Sequence, residues 1–578
     1  MLTLSIISLI SSSAVTIRRD KSILYARSVM IILISCLYIN IYNYYLSFFD
    51  KGLGLYHGLF SATATTHVFS MFILLISALI LQLNAFYGRK IWSNIYNTIN
   101  RLLFTRLVYY NSFILNKMAE QYRIIEYPLI ILFIIIGGIF LMSSSNLISI
   151  FLCIELQSYG LYILCSVYRD SEKSVSAGLT YFLLGGLSSC FILLASGLLY
   201  ANTGNMYFDG LYILNNIANV SDKYDALLTP QISLYQSYYI NFALTIMSVG
   251  FLFKITAAPF HFWSPDVYDA IPTVVTTFVA IFTKISILIL LLQMVNYTGH
   301  LLVNKESTTI YDFSWTFTFL ISSVLSMIIG SVLGLTQFRI KRLYAYSTIN
   351  HIGFILLALT INSIESIQSF IFYLMQYSLA NLNAFIILIT IGVTLYIYVD
   401  KNEESNENKS IISDRKNSPL QLVSQMKGYF YINPTLAISL GITLFSFVGI
   451  PPLIGFFAKQ MVLSSALDKG YVFVSLVAIL TSVISAYYYL ALIKQIFFFK
   501  SDYTLNPQLI NISIKGNLIN RLNNFNKDTI IINDKNVVLN GFASITIALL
   551  TLIILLFILN PQEWLSLANI LAIITFNC

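Results

Sequence analysis

Charge is scarce in this chain. Asp, Glu, Lys and Arg make up 10% of its 578 residues, against about a quarter in a soluble domain. Hydrophobic residues make up 57%, and the mean hydropathy is +0.78. A water-soluble globular fold is excluded. Paired cysteines are also missing: Cys36, Cys153, Cys165, Cys190 and Cys578 form no CxxC motif, so no iron–sulfur or zinc site is indicated. Four of them lie in apolar runs and are expected as small buried thiols. The five histidines show no HExxH spacing, and no glycine-rich phosphate loop follows a strand pattern. Alternating apolar and polar runs are lacking too, which excludes a membrane β-barrel.

Long continuous apolar runs are what the chain has. At about 20 residues per crossing, its length admits a dozen or more membrane helices. The pattern predicts an all-α polytopic membrane protein with about fourteen spans. They fall near 2–16, 26–45, 62–86, 127–143, 147–167, 176–200, 240–262, 273–295, 313–335, 344–361, 368–398, 434–458, 472–497 and 541–559. The first span has no basic residues before it, and Arg18, Arg19 and Lys21 come after it. That order suits a retained helix rather than a signal or transit peptide.

Basic residues test the count. With the N-terminus outside, 26 of the 33 Lys and Arg fall on the inner side and only Lys51, Lys223, Lys305 and Lys469 on the outer side. The asymmetry fixes the orientation, and an even number of spans returns the C-terminus to the outside. Residues 1–86 form three N-terminal helices, and 87–125 an inner segment of mixed basic and apolar residues at the membrane surface. Residues 126–295 and 312–498 form two five-helix units, the second carrying a polar loop at 399–430. Residues 499–540 are a further polar inner loop, and 541–578 hold the last span and an outer C-terminus.

Three spans hold lysine and one holds glutamate: Lys254, Lys284, Lys459 and Glu155. Each charge costs about 2.5–3.5 kcal/mol at a helix centre. A buried structural pair of Glu155 with one lysine would serve packing alone, but one carboxylate cannot neutralise three lysines. A buried ammonium that can shed its proton is what a proton path requires. Two of the lysines lie near helix breakers. Lys254 stands five residues before Pro259, and Lys459 seven residues after Pro452. Proline removes a backbone donor and breaks the helix, and the freed groups need a polar cavity. Discontinuous helices in matching places of two halves mark transporters built from repeats, so the seventh and twelfth spans are expected to be broken within two inverted five-helix repeats. Tyr344, Ser347 and His351 share a face of the tenth span, and the eleventh offers Gln376, Ser378, Asn381 and Asn383. Singly, such residues serve as interhelical hydrogen-bond partners or as proton carriers. His351 is the best carrier among them, since imidazole titrates near neutral pH. His261, beside the first break, is either a relay or a cap on freed carbonyls.

Two stretches carry a family resemblance. Residues 254–272 read KITAAPFHFWSPDVYDAIP, and residues 340–351 read IKRLYAYSTINH. Both resemble the antiporter-like membrane subunits of respiratory complex I and the related multi-subunit cation/proton antiporters, over roughly residues 125–500. The Pro-Asp-Val-Tyr element and a lysine at 459 resemble the chain 2 branch rather than chains 4 and 5. The resemblance implies that Glu155, Lys254, Lys284 and Lys459 are the family's intramembrane proton-transfer residues. It also implies proton pumping driven by electron transfer from NADH to ubiquinone in other subunits. No cofactor is expected in this chain; flavin, iron–sulfur clusters and ubiquinone are expected in partner subunits. Expected partners are other membrane-arm subunits, including neighbouring antiporter-like ones, and lipids, with no nucleic acid. Abundant Ile, Asn, Tyr, Phe and Lys suit an AT-rich mitochondrial gene. The expected location is the mitochondrial inner membrane with both termini on the intermembrane-space side. A subunit of a sodium/proton antiporter and a membrane scaffold without transport are the competing readings. The Asp-Val-Tyr element argues against the former and the four buried charges against the latter.

Overall fold

The computed structural model describes residues 1–15, 22–44, 52–85, 89–91, 126–168, 171–214, 230–298, 315–395, 398–400, 420–501, 503–505, 537–539 and 541–577. Most of 87–125, 399–419 and 506–536, and Cys578, lie outside them. Helices come in the order α1 (Leu2–Val15), α2 (Ser22–Tyr44), α3 (Ala64–Ala85), α4 (Tyr127–Ser143), α5 (Leu147–Ser166) and α6 (Glu172–Thr203). Then follow α7 (Pro230–Ile255), α8 (Trp263–Ala270), α9 (Thr273–Thr298), α10 (Phe317–Gly334), α11 (Ile340–Ile361) and α12 (Ile364–Leu395). The last are α13 (Pro434–Val448), α14 (Ile454–Asp468), α15 (Val472–Phe498), α16 (Gly541–Leu556) and α17 (Pro561–Asn577).

Ten helices among the described residues are long and apolar enough to cross a membrane, and α1, α4, α13 and residues 239–255 of α7 are shorter apolar helices. Hydrocarbon offers no partners to the backbone, so each segment satisfies its own in a helix. Local signals end them: Asn146 caps α5 by accepting from Ile148 N at 2.9 Å, and Gly204 ends α6 at φ 67°. Gly449 ends α13 at φ 87°, in the left-handed region that costs glycine nothing.

The helices form a centre and a periphery. Every residue in the apolar window of α9 is buried, and α11 and α12 are nearly as enclosed. On α15 the apolar residues Val472, Leu476, Ile479, Leu480 and Val483 are exposed, as are Leu179, Leu183, Leu187 and Leu194 on α6. In water such stripes would be costly; against lipid or a neighbouring subunit they are not. The thiols of Cys36, Cys153 and Cys165 are buried, but Cys190 is exposed on α6. Its apolar run packs on one face only, which corrects the expectation of a buried thiol.

Short strand pairs tie the connections together. Leu53–Leu55 pairs antiparallel with Phe60–Ala62, Arg89–Ile91 with Val537–Leu539, and Tyr398–Asp400 with Tyr503–Leu505. Isolated bridges join Phe60 to Ser144, Asn146 to Tyr207 and Arg339 to Leu422. Every one of these joins segments that the basic-residue asymmetry puts on the same side. Beyond α16, a 3-10 turn at Phe557–Leu559 leads into α17, which packs on α12 and α3. Ala568, Leu571 and Ala572 are its buried face.

Candidate functional site

Two helix breaks place two of the lysines. Helix α7 stops at Ile255, and α8 resumes only at Trp263. The last turn of α7 closes with Thr256 N donating to Phe253 O at 3.3 Å and Ala257 N to Leu252 O at 3.1 Å, and the indole Nε1 of Trp263 is a second donor to Phe253 O, at 3.2 Å. Lys254 is thereby left for side chains, and its Nζ donates to Tyr162 Oη at 3.3 Å. Glu155 lies within electrostatic reach of Lys254. No ion pair within 4.0 Å joins them among the described residues, and Glu155 Oε1 is buried without a hydrogen-bond partner there. Tyr162 stands two turns from Glu155 on the same helix, so the hydroxyl rather than the carboxylate is the group Lys254 touches.

The second break is closed differently. Helix α13 ends at Val448 and α14 starts at Ile454, with Pro451 and Pro452 between. Here Lys459 is itself the donor: its Nζ donates to Phe447 O and to Val448 O, both at 2.9 Å. These carbonyls are the negative end of a half-helix, where a cation is favoured. The side chain is 8% exposed, and its ammonium lies 5.7 Å from the centre of the Phe354 ring.

Between the breaks runs a line of buried rings. Lys284 on α9 is 1% exposed, and its Nζ donates to Tyr377 Oη on α12 at 3.4 Å. The Tyr377 ring is 5.8 Å from that of His351 on α11. His351 Nδ1 bonds Tyr373 Oη at 2.8 Å, and Nε2 approaches Tyr489 Oη at 3.4 Å. Tyr489 in turn bonds the Ser347 hydroxyl. Tyr373 stacks on Phe354, the ring beneath Lys459. Lys284 and Lys459 both lie within electrostatic reach of His351. Four of the sequence candidates, Lys284, Ser347, His351 and Lys459, thus share one buried cluster, while Glu155 and Lys254 form a second around Tyr162.

His261 sits off both clusters. Its ring is half-buried 6.5 Å from that of Tyr346, and Nδ1 has no hydrogen-bond partner among the described residues. Gln376 Nε2 reaches Ser446 Oγ at 3.4 Å, and Ser378 bonds its own helix. A cavity of about 230 Å³ between Thr63, Gln293, Asn296 and Thr575 includes none of these residues. Tyrosines 162, 373, 377 and 489 were not among the sequence candidates. Only the i, i+4 spacing of Tyr373 and Tyr377 could have pointed to two of them.

A family profile described as "NADH:quinone oxidoreductase/Mrp antiporter, TM" matches residues 144–485, more than half of the chain. NADH-ubiquinone oxidoreductase chain 2 of Rhizopus oryzae is 41% identical over 577 residues, covering 100% of this chain and 99% of that protein. The chain belongs to the NADH-ubiquinone oxidoreductase chain 2 family. A chain of "Respiratory complex I from Thermus thermophilus with bound Aureothin" shares the fold at TM-score 0.65 and 22% identity, covering 98% of this chain and 97% of that one. A chain of the Mrp complex from Dietzia sp. DQ12-45-1b does so at TM-score 0.68 and 17% identity, over 100% and 97%. Complex I subunits and Mrp antiporters therefore share this fold, and the sequence of chain 2 is what separates the chain from the second class. The profile takes in Glu155, Lys254, Lys284, His351 and Lys459.

Proposed function

We propose that Glu155, Lys254, Lys284, His351 and Lys459 carry protons across this subunit, with His261 serving the first break. The chain is an antiporter-like membrane-arm subunit of proton-pumping respiratory complex I. One observation carries the reading: an imidazole bonded to two tyrosines stands between two buried lysines. Neither lysine has a carboxylate within 4.0 Å among the described residues. A scaffold gains nothing from such groups, whereas charge passed in steps needs them. Each ammonium is held by hydroxyl or carbonyl oxygens, so a proton can leave without breaking an ion pair.

In this reading, α7 with α8 and α13 with α14 each make one broken crossing and α17 makes none, giving fourteen in all. Helices α4–α9 and α10–α15 are then two inverted repeats, and both termini face the intermembrane space of a mitochondrion. Flavin, iron–sulfur clusters and ubiquinone are in partner subunits, and neighbouring antiporter-like subunits and lipid cover the exposed leucine stripes. Replacing Lys284 by Met in the intact complex tests the proton role. Pumping per NADH oxidised should fall, while Lys173→Met, on the exposed start of α6, should leave it unchanged. Parental pumping by an assembled Lys284→Met complex would remove the reading.

A further inference from the structure

The inner end of α11 holds a buried lysine that the line above does not use. Lys341 is 3% exposed, and its Nζ donates to Ile271 O at 2.6 Å, at the turn between α8 and α9. An ion cluster lies beside it. Arg339 pairs with Asp269, and Arg342 Nη2 bonds Asp266 Oδ1 at 2.8 Å. The cluster joins α8 to α11 at the inner surface.

From Lys341 a column leads inward. Tyr344 follows one turn later on α11, fully buried, its hydroxyl without a hydrogen-bond partner among the described residues. Its ring packs 5.5 Å from that of Phe385 on α12. On α12, residues 373, 377, 381 and 385 are spaced four apart and lie along one face. Tyr373 and Tyr377 touch His351 and Lys284, and Phe385 touches Tyr344. Asn381 stands between them on that stripe. It is 0% exposed, and neither its Nδ2 nor its Oδ1 has a partner among the described residues. A buried amide without partners costs several kcal/mol unless water satisfies it. Along α11, Lys341 and His351 are ten residues apart, about 15 Å of helix.

We infer that Lys341 and Asn381 form the inner access to the proton line. Lys341 takes a proton from the inner aqueous phase. It passes it through water held by Tyr344 and Asn381, and by the Tyr377 hydroxyl, to the amine of Lys284 or the imidazole of His351. Only N–H and O–H bonds form and break. The inference rests on the proton role of Lys284 and His351.

The test uses the intact complex in sealed membranes, reading assembly, NADH oxidation and proton uptake. Lys341→Arg keeps a cation able to bond Ile271 O but cannot release a proton at working pH. Proton uptake per NADH should fall about tenfold in Lys341→Arg and in Lys341→Met. Asn381→Leu should lower it too, and Asn381→Ser, which still binds water, should restore most of it. A Lys341→Arg complex that pumps normally makes Lys341 a clamp only and overturns the inference. So does normal pumping by Asn381→Leu, which decides the matter if the Lys341 variants fail to assemble. Lys284→Met separates the two failures: if it pumps normally, the underlying line falls, and if it alone is impaired, only the inner access does.

Discussion

Replacing Gly455 by alanine should pull apart the second broken helix. A Cβ at this position would lie 1.9 Å from Ser446 O and 2.8 Å from its carbonyl carbon. The obstacle is backbone, so no side chain can swing away to relieve it. A carbon approaches a carbonyl oxygen no closer than about 3.3 Å, so the end of α13 and the start of α14 must separate by roughly 1.4 Å, taking 1.9 Å as the start. Ser446 is followed directly by Phe447 and Val448, whose carbonyls hold Lys459 at 2.9 Å. Moving them by that amount stretches both bonds to about 4 Å, past the hydrogen-bond limit. Hydrogen bonds to a charged group are worth about 1.5–3 kcal/mol each, so losing both costs about 3–6 kcal/mol. The expected outcome is less assembled complex on native gels and, in what assembles, a lower thermal midpoint and impaired NADH-driven pumping. Gly197→Ala is the matched control, because nothing lies within 4 Å of its added methyl. A Gly455→Ala complex that assembles, melts and pumps like the parent would refute the claim that the two carbonyls position Lys459.

Gly185→Ala should disturb Lys254 from a distance. Its methyl would meet Tyr162 Oη at 1.8 Å and displace the hydroxyl that Lys254 holds at 3.3 Å, lowering pumping more than Tyr162→Phe, which loses only the one bond, worth about 1.5–3 kcal/mol. Equal effects of the two substitutions would exclude the steric route. At the start of α11, Arg342→Ala should change the thermal midpoint little, since its nearer partner Asp266 is 72% exposed and such pairs are worth at most about 1 kcal/mol. Asp269→Ala should cost more, because that side chain is 10% exposed and faces both arginines; a calorimetric scan of the purified complex ranks the two. Gly197→Ala itself should leave stability equal or raise it by up to about 1 kcal/mol, as alanine does in an open helix position.

The lysines were legible in the sequence because a charge in an apolar run is conspicuous and costly. Pro259 and the Pro451–Pro452 pair marked the breaks for an equally local reason: proline cannot donate. The tyrosines were not legible. The chain has 39 of them, and nothing in the one-dimensional pattern says which meet a lysine from another helix. Tyr162 and Lys254 are 92 positions apart, and Lys284 and Tyr377 are 93. Helix α17 escaped for a different reason. Its start, Pro-Gln-Glu-Trp, is polar and it is only 17 residues long, so hydropathy alone gives no span, and its helix depends on packing against α12. Glu155 and Lys254 are neighbours in charge, but Tyr162 takes the hydrogen bond.

The two breaks share a sequence signature yet solve the same backbone problem with opposite chemistry. At the first, the Thr256 amide and the Trp263 indole share the carbonyl of Phe253, so Lys254 has no part in closing the helix end and bonds one hydroxyl. At the second, the freed carbonyls of Phe447 and Val448 are satisfied by the lysine that is also proposed to carry the proton. Discharging Lys254 removes one donor from a hydroxyl that can turn to another partner. An amine at Lys459 has two donors left where the ammonium had three, and it no longer offsets the negative end of α13. Loss of that proton therefore weakens the hold of α14 on α13, and a proton leaving Lys459 is coupled to the fit of the two half-helices in a way that a proton leaving Lys254 is not.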